Sequence, residues 1–327
     1  MGATLDTTSQ LSRQLSQRLS QPSSRPPNRR DFIAQALGLG ALLSRPDRLL
    51  AQEPLPTRPI PGTGETLPVI GFGSSKPVLE SPTEGTEPIA NVLRMLLEYG
   101  GRVIDTSPRT EAIDTDFGRV LQDPEVRDRL FLAAKINING EQAGIDQWRQ
   151  TQRLFGRRTV DLLQVESLRD VDLHWPNVRA WKDSGEARYI GVTVSSNFQH
   201  APIETFMREN SPDFVHVNYS PMENGVEDRV LPLARDMGMG VLINRPFTNG
   251  TYFGMVAGKE LPAWAAEFDC ETWAQFSLKY VLANPAVTCV LTETTNPEHM
   301  EENIQAGYGR LPDDATRARM RELIRSF

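Results

Sequence analysis

Three ionisable residues each stand at the polar end of an apolar run: Asp105 in "RVIDTS", Lys135 in "LFLAAKI" and Glu166 in "VDLLQVES". An ammonium set between two carboxylates on neighbouring elements would be paired and partly buried. Such a trio is either an ion network that closes one end of a fold or the acid, base and charge of an active site. Residue types alone leave both open. More polar residues follow the later apolar runs: Thr193 beside Val194, Asn218 beside Tyr219, Asn244 beside Arg245, and Glu293.

These residues need elements that bring them to one place. The apolar runs at 67–73, 102–107, 130–136, 160–167, 187–194, 213–220, 240–247 and 287–293 are nearly continuous, as parallel strands covered on both faces require. Amphipathic stretches of helical length separate them. In "IANVLRMLLEY", Ile89, Val92, Leu93 and Leu96 recur at three- and four-residue steps, and Gly100 and Gly101 are placed to end that helix. Eight strands alternating with helices over about 250 residues give an α/β fold, the (β/α)8 TIM barrel, in which chemistry sits at the C-terminal ends of the strands. A doubly wound open sheet is the alternative, but "GFGSSKP" has only two of the glycines its phosphate loop needs. The long connection after the seventh run, about 248–270, carries Tyr252 and Phe253 among glycines and suits a mobile lid.

Charge divides the 327 residues unevenly. Net charge is −7 overall, and the first 52 residues hold seven arginines and three aspartates, so the remainder carries −11. An acidic body offers no general attraction to nucleic acid or anionic lipid. Residues 7–28 are rich in Ser, Gln, Pro and Arg, which predicts no fixed structure. "NRRDFIAQALGLGALL" then sets Arg29 and Arg30 before a short apolar run, and Ala51 follows as a cleavage position. This has the form of a twin-arginine export signal and predicts a periplasmic protein with no membrane anchor beyond the signal. The expected organisation is therefore 1–52 leader and 53–327 barrel. Two distant cysteines, Cys270 and Cys289, make neither a disulfide framework nor a metal site; Cys289 is expected to be a core thiol.

From about residue 60 to 325 the chain resembles the aldo-keto reductases. "LPVIGFG", "GGRVIDTSP", "LFLAAKI", "VDLLQVESLRD", "IGVTVSSNF", "INRPF" and "NPEHMEENI" carry the likeness by their order and spacing. The resemblance implies hydride transfer from NADPH to a carbonyl through an Asp, Tyr, Lys and His tetrad. In that chemistry a tyrosine of lowered pKa protonates the forming alkoxide. The aspartate corresponds to Asp105 and the lysine to Lys135. Thr110 stands for the tyrosine and Glu166 for the histidine. Glutamate in that place has precedent in a family branch that reduces carbon–carbon double bonds, and a protonated glutamate can still donate to a carbonyl. Threonine is several pKa units less acidic than a phenol, at about 1.4 kcal/mol per unit. A phenol from Tyr252 in the lid is the substitute the sequence offers.

The resemblance also places a cofactor site on Thr193, His216, Asn244, Arg245, Thr294, Glu302 and Asn303. Val194 stands where a polar residue would hold the nicotinamide amide, His216 where a glutamine is usual, and Thr292 where a proline is usual. Glu293 would face a phosphate, which is repulsive without a cation. Three readings follow. The first in order is a divergent, non-catalytic barrel, a pseudoenzyme that binds a small ligand or a partner, with NADP(H) bound weakly or not at all. The second is an active NADP-dependent oxidoreductase with a rearranged site. The third is cofactor-independent hydrolysis or isomerisation by Glu166 and Lys135. A monomer is expected.

Overall fold

The computed structural model describes residues 53–327; the leader and its paired arginines lie outside the described residues. A short antiparallel hairpin comes first, β1 (Thr57–Pro59) and β2 (Thr66–Pro68), with Thr57 opposite Pro68. The eight strands that follow are β3 (Ile70–Gly73), β4 (Val103–Asp105), β5 (Phe131–Ile136), β6 (Val160–Glu166), β7 (Ala187–Thr193), β8 (Phe214–Asn218), β9 (Gly240–Asn244) and β10 (Cys289–Thr292). All neighbours pair in parallel, and β10 closes on β3. This is the (β/α)8 TIM barrel.

The helices between and after them are α1 (Ser75–Glu84), α2 (Glu87–Glu98), α3 (Glu111–Leu121), α4 (Pro124–Arg127), α5 (Glu141–Leu154), α6 (Val171–Asp183), α7 (His200–Asn210), α8 (Val230–Asp236), α9 (Thr251–Val256), α10 (Trp273–Leu282), α11 (Pro297–Gln305) and α12 (Asp314–Arg325). None is long and apolar enough to cross a membrane. Ile89, Val92, Leu93 and Leu96 are fully buried on α2. Gly100 ends that helix at φ +77, a left-handed conformation that favours glycine.

Two apolar layers explain why the strands read as continuous. Val103, Phe131, Ala133, Leu162, Phe214, Leu242, Cys289 and Leu291 fill the barrel interior, closed below by Ile60 and Leu67 of the hairpin. The alternate residues, among them Ile104, Leu132, Leu163, Val192, Val217 and Ile243, pack outward against the helices. Each such large side chain contributes about 1.5–3 kcal/mol on burial. Gly240 makes the interior possible, because a Cβ there would meet the Phe214 ring at 2.4 Å.

Two expectations change. The first predicted strand, 67–73, is two elements: it pairs with β1 up to Pro68, breaks at Val69 and only then enters the barrel. Pro68 has no N–H to donate, which suits a strand end rather than a barrel centre. In the 248–270 connection Tyr252 is buried rather than presented by a lid, although most of the segment is exposed. It folds as a 3-10 turn (Thr248–Gly250), α9, and a second 3-10 turn (Ala263–Phe268).

Candidate active site

Side chains alternate along a strand, so the inward rows that hold the apolar interior continue into polar residues at the C-terminal ends. Ala133 is in register with Asp105, Lys135 with Gln164, Glu166 with Thr193, Thr193 with His216, and Asn218 with Asn244. The barrel mouth is thus lined by Asp105, Lys135, Gln164, Glu166, Thr193, His216, Asn218 and Asn244.

Lys135 Nζ donates to Asp105 Oδ2 at 2.5 Å and to Ser107 Oγ at 3.2 Å. Gln164 Nε2 donates to the other carboxylate oxygen at 3.0 Å. Burial alone would push the Asp105 carboxyl up, but the Lys135 ammonium, with its hydrogen bond and that of Gln164, holds it below the usual carboxylate range. His216 Nδ1 lies 3.7 Å from Asp105 Oδ1 with no hydrogen bond from either ring nitrogen. Burial lowers its pKa to about 4, so it is neutral at neutral pH.

Two residues of the site were not singled out by the sequence. Gln164 is one; a polar side chain on the inward row of an apolar strand was the available signal. The other is Arg109, whose guanidinium folds back under the loop after β4. It donates to Thr106 Oγ1 at 3.1 Å, the Ser107 carbonyl at 2.7 Å, and the Ser74 and Ser75 carbonyls at 2.9 and 3.3 Å. Asp114 Oδ1 is 3.7 Å away, and the Arg109 side chain is only 6% exposed. Burial lowers its pKa, against the charges of Asp114, Asp105, Glu166 and Glu293. Sequence gave no sign that this arginine turns inward.

Thr110, assigned to the proton-donor position, is exposed at the N-cap of α3 and makes no hydrogen bond with Asp105 or Lys135. Tyr252 does not replace it. Its ring is fully buried, its hydroxyl donates to the Trp273 carbonyl at 2.9 Å, and burial pushes its pKa up. The chain has six tyrosines, and none reaches the Asp105–Lys135 pair. Tyr99 bonds Glu301, Tyr189 bonds Glu65, Tyr219 and Tyr280 share Glu227, and Tyr308 bonds the Glu53 carbonyl.

The residues assigned to a cofactor divide. Thr193, His216 and Asn244 face the mouth, Asn244 with its Nδ2 on the Val194 carbonyl at 3.0 Å. Val194 itself packs in the outer layer. Arg245, at φ +54, turns its guanidinium to the Ser195 carbonyl at 2.5 Å and to Glu223 at 3.2 Å. Thr294 Oγ1 accepts from Asn296 N within its own turn at 3.0 Å. Glu302 and Asn303 lie on α11, Asn303 buried. Glu293 lies against Gly73, its Cγ 3.0 Å from where a Cβ would sit, and takes the backbone N–H groups of Ser75 and Lys76 at the start of α1. Partial withdrawal from water and then the Asp105 charge push its carboxyl up. Cys270 and Cys289 are buried free thiols. Among the described residues no group of three or more His, Cys, Asp or Glu could hold a metal ion.

A closed parallel barrel with an Asp–Lys pair at its C-terminal mouth defines the class of the protein. The aldo/keto reductase family model matches residues 69–324, and the chain belongs to that family. It is 25% identical over 173 residues to the NADH-specific methylglyoxal reductase of Escherichia coli (strain K12), covering 45% of this chain and 51% of that one. It is 24% identical over 180 residues to the aldo-keto reductase YhdN of Bacillus subtilis (strain 168), covering 50% and 53%. The chain thus spans about half the length of the curated relatives it matches. Among solved structures, an aldo-keto reductase from Klebsiella pneumoniae in complex with NADPH superposes with TM-score 0.68 at 17% identity, over 84% of this chain and 96% of that one. The holo form of AKR11C1 from Bacillus halodurans superposes with TM-score 0.64 at 19% identity, over 83% and 96%.

Proposed function

We propose that this barrel binds a small molecule rich in hydrogen-bond donors at its mouth and does not carry out the phenol-dependent carbonyl reduction of its family. The observation that carries this reading is the engagement of all six tyrosines away from Lys135. Without a phenol, the Asp105–Lys135 pair has no acid to activate. The class of ligand follows from buried polar atoms at the mouth that have no protein partner: the acceptors Gln164 Oε1, Glu166 Oε2 and Asn244 Oδ1, and the two ring nitrogens of neutral His216, one a donor and one an acceptor. A polyol or an amine could meet them.

A dinucleotide does not fit the residues present. Arg245 is committed to Glu223, Lys135 to Asp105, and Glu293 already takes the N–H groups at the start of α1. No cation of this set remains for a phosphate, while the Glu293 carboxylate stands where the resemblance would place one; Glu302 and Asn303 keep the pattern that holds adenine. The oxidoreductase reading is favoured by the intact Asp105–Lys135 pair and by relatives named as reductases. It lacks a proton donor at that pair. Export by the twin-arginine route, to the periplasm, as a monomer with no nucleic-acid partner, is part of the proposal, supported by Arg29, Arg30 and the apolar run after them.

The test is NADPH- and NADH-dependent reduction of methylglyoxal by the purified full chain, alongside a thermal-shift screen of polyols and amines. The expected result is no turnover above background and a stabilising polyol or amine whose effect is lost in Glu166→Gln with Asn244→Ala. Turnover that Lys135→Met abolishes would overturn the reading.

A further inference from the structure

A second cavity lies at the opposite end of the barrel, where α5 returns to β6. It is a shallow concavity open to solvent, with a volume of about 520 Å³. Arg149, Arg153, Arg157 and Arg158 line it, with one carboxylate, Glu186. This concentration of positive charge is unusual in a body whose residues beyond 52 carry a net −11.

Glu186 does not neutralise the set. Its Oε2 accepts from the Trp148 indole at 3.2 Å and from Gln152 Nε2 at 3.0 Å, and its carboxylate pairs with Arg149. Arg153 and Arg158 have no side-chain hydrogen bond or ion pair among the described residues and are exposed. Arg157 is half-buried. It gives one guanidinium N–H to the Arg127 carbonyl, and its Nε is buried with no partner. Burial lowers its pKa, the desolvation that an anionic partner would offset. Three guanidinium groups around one concavity therefore lack a counter-charge in contact.

We infer that this cavity is a second binding site, for a small molecule bearing a multiply charged phosphate group. Guanidinium forks match phosphate oxygens in pairs, and several of them together favour a doubly charged group over a single carboxylate. The site is independent of the barrel mouth. Arg109, Lys135 and Glu293 belong to the C-terminal ends of the strands, whereas Arg157 and Arg158 precede β6 and Glu186 precedes β7.

The experiment is isothermal titration of the full chain with pyrophosphate, inorganic phosphate and sulfate at constant ionic strength. Pyrophosphate is expected to bind saturably at one site, more tightly than sulfate. The double variant Arg153→Gln with Arg158→Gln removes two exposed side chains without protein partners, so it leaves the melting temperature unchanged; it is expected to weaken pyrophosphate by about tenfold or more. Arg157→Gln is expected to do the same, with some loss of stability from the Arg127 carbonyl. Arg235→Gln, on a distant exposed face, is expected to leave binding unchanged. Three outcomes would overturn the inference. They are weak, non-saturable binding of all three anions, saturable binding untouched by the double variant, or binding of heparin without binding of pyrophosphate.

Discussion

The base and the mouth of the barrel are both lined with charge but treat it differently. At the base, Arg58 donates to the carbonyls of Leu282, Asn284 and Val287, and Glu65 accepts from Arg102, Arg188 and Tyr189. These bonds tie the β1–β2 hairpin across the strand ends, and their function is closure. At the mouth the Asp105–Lys135–Gln164 cluster is as well made, yet it borders open groups. Of ten buried side-chain nitrogens and oxygens without a partner among the described residues, six belong to Gln164, Glu166, His216, Asn244 and Arg245. Native folds leave few such groups, and their gathering at the mouth is what the proposed ligand site rests on.

The largest effect expected from this contrast is on Lys135. Lys135→Met leaves the Asp105 carboxylate buried against a neutral side chain, and stability to urea should fall by about 3–5 kcal/mol. A change under about 1 kcal/mol would mean that Asp105 takes up a proton or a new partner at little cost.

Next is the pH dependence of stability. His216 has its pKa lowered from 6.5 to about 4 in the folded state, so the unfolded chain binds the proton first as pH falls. Its contribution is present above pH 6.5 and lost between there and about pH 4, at most about 3 kcal/mol. His216→Gln should flatten the urea midpoint over that window. Asp105, also lowered, is lost in the same direction at more acid pH and distinguishes itself by that.

The smallest effects compare two glutamates. Glu65→Gln removes charge from three donors at the base and is expected to cost about 1 kcal/mol, limited by its partial exposure. Glu166→Gln removes no protein partner from its open oxygen and is expected to change stability by less than about 0.5 kcal/mol, while altering ligand response. Equal losses at the two positions would erase the distinction between closure and site.

Much of this was legible in the sequence because a barrel strand encodes its site by alternation. Asp105, Lys135, Glu166, Thr193, His216 and Asn244 all lie on the inward row, and each but His216, which sits in the middle of its strand, ends or nearly ends an apolar run. What was not legible depends on where the chain turns after the strand. Arg109 and Thr110 are adjacent in a loop, yet the arginine is buried against five oxygens and the threonine is exposed. No periodicity distinguishes them. Tyr252 read as a lid residue because glycines flank it, but α9 buries it against α10. The hairpin escaped notice because Val69 breaks an apolar run whose residues look uniform.

The central claim is most directly tested by titrating the full chain with NADPH and following protein fluorescence. With Glu293 on the N–H groups of α1 and Arg245 on Glu223, saturable quenching is expected to be absent or to appear only toward the millimolar range, near −4 kcal/mol or about that. Saturable binding at about 1 µM or tighter, roughly −8 kcal/mol, would contradict the account and return the mouth to a cofactor.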